Sequence, residues 1–214
     1  VRARVRKDRR RPVLEQPLDD VLVLLEQQRH RVEHLVEAGH DEVGARRIDA
    51  DDDRPWVERG LLYNAVAVLH GGRIAALRFK VDLPNYGVFD EKRVFAPGPM
   101  PGPVNFRGVR IGIPICEDIW KDEVCECLQE AGAEIFISPN GSPFDWPKPD
   151  KRMNVAVARV AENGLPLIYL NQVGGQDELV FDGASFVLNA DSSLAAQLPA
   201  WREALVLTEW SRSP

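Results

Sequence analysis

Residues 110–120 read Arg110-Ile-Gly-Ile-Pro-Ile-Cys-Glu-Asp-Ile-Trp120. The apolar run Val109–Ile115 has the length and content of a buried strand. A thiol closes it, and two carboxylates and a turn follow at once. Ligand sites in α/β folds gather at the C-terminal ends of strands, so Cys116 stands where chemistry is done. Two readings of it are open on local sequence. A free cysteine is often a small buried hydrophobe. A reactive one needs a cationic neighbour to favour the thiolate, and this segment supplies none.

Outward from Cys116 the chain alternates strand and helix patterns. Lys121–Ala131 reads as a helix ended by Gly132, and Glu134–Ser138 as a short buried strand. Asp150–Glu162 reads as a helix with Val155, Val157, Ala158 and Ala161 on its apolar face and Gly164 as its cap. Pro166–Gln172 is the next strand. Ser185–Asn189 and Leu194–Leu198 form a hairpin turning at Asp191-Ser192. On the other side, Leu62–Leu69 and Arg73–Phe79 read as strands joined across Gly71-Gly72, a hairpin signal. This order predicts a mixed α/β layered fold. Lys80 follows the apolar run Ile74–Phe79. A lysine at one strand end could meet a cysteine at another, favour its thiolate and stabilise an oxyanion. The plainer reading is a surface lysine whose stem packs on apolar surface.

The chain has 214 residues, a formal net charge of −6 and 44% hydrophobic residues, enough for one domain with a core. The acidic balance argues against a nucleic-acid or membrane-surface binder. No apolar run approaches the roughly 20 residues that span a bilayer. The expected compartment is the cytoplasm, with no nucleic-acid or membrane partner. Cys116, Cys125 and Cys127 fit reducing surroundings, since an odd count leaves a free thiol. Cys125 and Cys127 lie two apart on a predicted helix, on nearly opposite faces, and read as structural.

Residues 1–55 differ from the rest. They contain no Phe, Tyr or Trp, and carry an Arg9-Arg10-Arg11 cluster and an acidic run at 49–53. Leu18, Val21, Leu22, Leu25, Val32, Leu35 and Val36 recur at helical spacing and predict a helix near 18–38. His30 and His34 have the i, i+4 spacing of metal ligands. No third ligand is in sight, and a solvated helix face is the reading taken, with no metal site. So charged a segment has little apolar surface to offset ordering entropy. It is expected to pack poorly against the rest and to add no central strand.

Four longer motifs carry a resemblance. Phe79-Lys-Val-Asp-Leu-Pro-Asn-Tyr-Gly-Val-Phe-Asp-Glu-Lys-Arg-Val-Phe95 resembles the lysine motif of the amidase domain of bacterial glutamine-dependent NAD synthetases, of the nitrilase (carbon-nitrogen hydrolase) superfamily. Ile113–Trp120 resembles that family's nucleophile motif, Ser138-Pro-Asn-Gly-Ser-Pro-Phe144 its substrate loop, and Gly175-Gln-Asp-Glu-Leu-Val-Phe-Asp-Gly183 a further signature. The resemblance runs in order over about residues 55–210. It implies a nitrilase-type α-β-β-α sandwich, incomplete at the N-terminus, with residues 1–55 aberrant and 56–214 the amidase domain.

The resemblance also implies a Cys-Lys-Glu triad. Cys116 would attack the glutamine side-chain amide, and Lys80 and the backbone N–H of Glu117 would hold the oxyanion. Ammonia would leave, and water would cleave the thioester. Glutamine contacts carry over to Tyr86, Ser142 and Lys148: hydroxyls accepting from its ammonium, a lysine pairing with its carboxylate. On local sequence Ser142 equally reads as a turn residue and Tyr86 as a packing ring. Glu91 is a candidate carboxylate supporting the site residues from behind, and a surface position on a helix or turn is the reading taken. Lys80 Nζ and Cys116 Sγ are expected within about 5 Å, the range over which an opposite charge shifts a pKa.

Two parts of the family pattern are missing from the sequence. The triad's glutamate belongs upstream in a Phe-Pro-Glu-Leu-like context, and the family's interval back from Lys80 lands beside Glu15, in no such context. A Ser-Gly-Gly phosphate loop, mark of a C-terminal ATP-binding synthetase domain, is also absent. The amidase domain itself is expected to need no cofactor, ATP and Mg belonging to the synthetase domain. The expected partners are glutamine, a synthetase domain or subunit, and further copies in a homo-oligomer. The alternatives are a catalytically dead remnant that binds glutamine or a partner, and a stand-alone nitrilase-type amidase.

Overall fold

A computed structural model of the chain describes residues 2–5, 23–26, 56–70 and 73–211. The chain divides into two compact units, Asp8–Pro99 and Val1–Lys7 with Met100–Pro214.

The first of these contains β2 (Val23–Glu26), β3 (Trp56–Glu58), β4 (Leu61–Tyr63), β5 (Ala65–His70) and β6 (Arg73–Phe79). The strands β5 and β6 pair antiparallel, as their apolar runs predict, and β2 pairs with β5 at the other edge. The expected helix over 18–38 is corrected here, because Val23–Glu26 is extended. The run Val21-Leu-Val-Leu-Leu25 is uninterrupted apolar sequence, which periodicity cannot assign between helix and strand. The remainder of 18–38, with Glu15, His30 and His34, lies outside the described residues. The strand predicted over Leu62–Leu69 is broken at Asn64, whose carbonyl accepts from the Lys80 N–H at 2.9 Å. Residues 80–98 leave the sheet and return to it: the Gly98 N–H donates to the Lys80 carbonyl at 2.8 Å. A Cβ on Gly98 would lie 2.6 Å from the Phe79 Cβ, so only glycine permits this approach.

The second unit is built on a six-stranded sheet. Its order is β14 (Leu194–Gln197), β13 (Phe186–Leu188), β10 (Leu167–Asn171), β9 (Ile135–Asn140), β8 (Val109–Gly112) and β7 (Val104–Phe106). The strands β8, β9 and β10 run parallel, and the outer pairs are antiparallel. Helix α1 (Glu123–Glu130) connects β8 to β9, and α2 (Lys148–Asn163) connects β9 to β10. Parallel strands need such crossovers, and a strand covered on both faces is apolar throughout. Every residue of β9 is buried. The Tyr169 and Phe186 rings stack at 4.8 Å across β10 and β13. A hairpin of β11 (Val173–Gln176) and β12 (Leu179–Asp182) follows β10, and β15 (Thr208–Ser211) pairs with β1 (Arg2–Val5).

The predicted apolar face of α2 is shifted. Arg152, Ala156, Arg159 and Val160 are the buried residues, and Ala161 is exposed. The pattern was masked because two of the inward positions are arginines. Gly164, with φ +67°, caps this helix as predicted. Among the described residues no helix is long and apolar enough to cross a membrane.

Candidate active site

The parallel strands present their C-terminal ends along one edge of the sheet, and three segments leave from it. After β8 the chain continues through Ile113-Pro-Ile115, where Pro114 has no N–H to extend the ladder. Cys116 then takes the left-handed backbone conformation, φ +49°, and opens a 3₁₀ turn over Cys116–Ile119. Such a conformation costs a non-glycine residue roughly 1–2 kcal/mol, so the surroundings must hold it. Asp118 does so. Its carboxylate accepts the Ile115 N–H at 2.9 Å, and its own N–H donates to the Ile115 carbonyl at 3.0 Å. Helices α1 and α2 and strand β9 pack on the turn. Cys116 is 4% exposed, Ile119 and Asp118 are buried, and Glu117 is half-buried. Asp118 thus pins the backbone of the turn, and Glu117 follows the thiol within its first turn.

The other two cysteines are set apart by their surroundings. Cys125, inside α1, is buried, and burial pushes its thiol up to about 12. Cys127, on another side of the helix, donates to the Pro101 carbonyl at 3.8 Å.

The loop after β9 is Gly141-Ser-Pro-Phe144, and α2 clamps it. Arg152 is buried, and its guanidinium spends every nitrogen there. Nε donates to Ser142 Oγ at 3.1 Å, Nη2 to the Ser142 and Pro143 carbonyls at 2.8 and 3.0 Å, and Nη1 to Asp182 Oδ1 at 2.7 Å. Asn171, at the end of β10, accepts the Ser142 N–H at 2.9 Å. One helical turn before Arg152, the Lys148 ammonium lies over the Trp120 ring, 4.7 Å from its centroid. Sequence reasoning missed Arg152 and Asp182. The available signal was an arginine at an inward helical position, which requires a buried acid elsewhere.

In the other unit, Lys80 is 0% exposed and its ammonium bonds Glu91 Oε1 at 2.7 Å. The second Glu91 oxygen accepts from Asn64 Nδ2 at 3.4 Å. Glu91 heads a short 3₁₀ turn, Glu91–Arg93, and its side chain is 12% exposed. The surface role expected of Glu91 is therefore corrected, and so is the surface reading of Lys80. A buried ammonium is tolerated only with its charge matched, and the loop closed by Gly98 brings the carboxylate in. Tyr86 lies on the same loop, largely exposed, with its ring edge-on to Phe89 at 5.8 Å. Lys80 and Tyr86 thus belong to one unit, and Cys116, Glu117, Ser142 and Lys148 to the other.

A buried thiol on a strained turn at a parallel sheet's edge defines a class of cysteine-bearing α/β domain. Residues 48–213 match the carbon-nitrogen hydrolase family. The chain belongs to that family, and its fold is of the nitrilase type. It is 51% identical over 158 residues to a glutamine-dependent NAD(+) synthetase of Rhodobacter capsulatus, a match covering 74% of this chain and 29% of the relative. Among solved structures, the glutamine-dependent NAD+ synthetase of Acinetobacter baumannii, in complex with ADP, superposes with a TM-score of 0.67 at 38% identity. That superposition covers 71% of this chain and 29% of the other. An amidase of Nesterenkonia sp. AN1, with acrylamide added at its active-site cysteine, gives 0.59 at 27% identity, covering 69% and 56%. The chain thus spans about 29% of the length of the curated relative it matches.

Proposed function

We propose that this chain is the glutamine-hydrolysing part of an NAD-synthesising enzyme, with Cys116 as its nucleophile. The observation that carries the reading is the Cys116 turn itself. A thiol in a left-handed conformation, off the end of a parallel strand and locked by Asp118, is preorganised for attack in a family of carbon-nitrogen hydrolases. The Cys116 thiolate adds to the side-chain amide carbon of glutamine. The developing oxyanion is stabilised by the Glu117 N–H and the Lys80 ammonium, which Glu91 holds in place. The proton lost by the thiol passes to the amide nitrogen, and collapse expels ammonia, leaving a γ-glutamyl thioester that water cleaves to glutamate. Lys148, Ser142 and Tyr86 bind the amino-acid end of the substrate.

The ammonia serves a synthetase part that completes NAD from its deamidated precursor. ATP and magnesium act in that part, and the amidase chemistry uses protein groups alone. The similarity to NAD synthetases, of which the match covers 29%, supports that assignment. Ammonia release from L-glutamine, compared between the chain and its Cys116→Ala variant, tests the reading. Release confined to the unmodified chain is expected, and equal release from both would overturn it.

A further inference from the structure

Asn64 stands between β4 and β5 and is buried, 2% exposed. It reaches both members of one ion pair. Its main-chain carbonyl accepts the Lys80 N–H at 2.9 Å, and its side-chain Nδ2 donates to Glu91 Oε2 at 3.4 Å. Lys80 Nζ holds the other carboxylate oxygen, Oε1, at 2.7 Å. Each Glu91 oxygen thus has its own partner. The orientation of the amide follows, because turned over it would set its carbonyl oxygen against a carboxylate. In this orientation Oδ1 is buried with no partner among the described residues. A buried acceptor left unpaired is unfavourable, and a leucine of similar size would avoid that penalty. As packing, the Asn64 side chain is a poor choice; what it supplies is one directed N–H.

We infer that Asn64 is a positioning residue: it ties Glu91 by Oε2, so that Oε1 holds Lys80 where Lys80 stabilises the oxyanion. This deepens the glutamine reading above and rests on it. Glu91 opens a turn of three residues, and its side chain keeps 12% exposure. Tied at one oxygen only, the carboxylate can swing toward water. Lys80, on a flexible four-carbon stem, would follow it. A displacement of about 1 Å in a group that acts on the reacting atoms can lower a rate about 10²-fold. Substrate contacts made by other residues would be untouched.

The experiment follows γ-glutamyl adduct formation at Cys116 in the full chain, by mass spectrometry of acid-quenched samples, over a range of L-glutamine concentrations. The parent, Asn64→Leu, Glu91→Gln and the double variant are compared, each with its denaturation midpoint. Asn64→Leu should lower the limiting rate about ten- to a hundred-fold. Its half-saturating glutamine concentration, which reports binding when chemistry is slow, should stay at the parent's value, and its midpoint should not fall. Added to Glu91→Gln, the same change should lower the rate no further, because the two residues act as one unit. A limiting rate equal to the parent's would overturn the inference. So would a loss that appears in half-saturation alone, or an equal fold-loss with and without the Glu91 carboxylate. If Asn64→Leu does not fold, Asn64→Asp, which has the same shape and no amide N–H, is held to the same outcomes. If Glu91→Gln does not fold, limiting rate and half-saturation decide. An adduct formed equally fast by parent and variant overturns this inference alone, whereas no adduct in the parent overturns the glutamine reading and this inference with it.

Discussion

Three cysteines lie within twelve residues, and what distinguishes them is backbone and burial rather than sequence. Cys116 pays for its place with a left-handed φ of +49°. Glycine adopts that region freely and alanine does not. Cys116→Gly should therefore be more stable than Cys116→Ala by about 1 kcal/mol in denaturant melts; the opposite order would remove the strain. Cys125 is held protonated by desolvation, with its pKa raised from 9.0 to about 12. The folded chain thus binds that proton more tightly than the unfolded one. The associated stability is present below pH 9.0 and is lost as pH rises towards about 12. Unfolding midpoints should fall across that window, and Cys125→Ala should remove part of the fall. A Cys125→Ala chain with the same alkaline slope as the parent would contradict this origin.

At the scale of elements, two short 3₁₀ turns carry the candidate chemistry: Cys116–Ile119 and Glu91–Arg93. The second places Glu91 against Lys80 inside the loop that Gly98 closes. Glu91→Ala strands a buried ammonium and should cost about 3–5 kcal/mol, read as a shift in denaturation midpoint. A loss below about 1 kcal/mol would mean that the pair behaves as an exposed one. The strands around Cys116 and Lys80 were legible because their apolar runs are bounded by Pro, Gly and turn residues. Their limits moved by a few residues where hydrogen bonding intervened, as at Asn64. What could not be read was which polar groups turn inward. Arg152, Asp182 and Glu91 look like surface residues one at a time, and only the fold pairs them. Cys116, Lys80 and Ser142 stood out as candidates through their long motifs, but the Arg152 clamp on the Ser142 loop did not. The segment Val21-Leu-Val-Leu-Leu25 failed for a third reason, since continuous apolar sequence has no period to read.

For the molecule as a whole, the open chemical question is the proton. Lys80 is paired with Glu91 at 2.7 Å, and in the proposed reaction it supplies charge rather than base catalysis. Asp118 is engaged with the Ile115 N–H. The family's Phe-Pro-Glu-Leu-like context does not occur in the sequence. General acid–base help is worth about 10²–10⁴ in rate, and its loss touches both acylation and deacylation. This chain is therefore expected to hydrolyse glutamine very slowly. A version given an N-terminal strand with that glutamate should exceed it by at least about 10²; equal rates in ammonia release would show that the glutamate does not matter. Slow turnover does not hide the intermediate, because a thioester whose hydrolysis lacks a base persists once formed. The most direct measurement is the mass of acid-quenched chain after long incubation with L-glutamine. A γ-glutamyl adduct mapped to the Cys116 peptide, and absent from Cys116→Ala, is the expected result. Ammonia release without any adduct at Cys116, or an adduct that survives Cys116→Ala, would contradict Cys116 as the nucleophile.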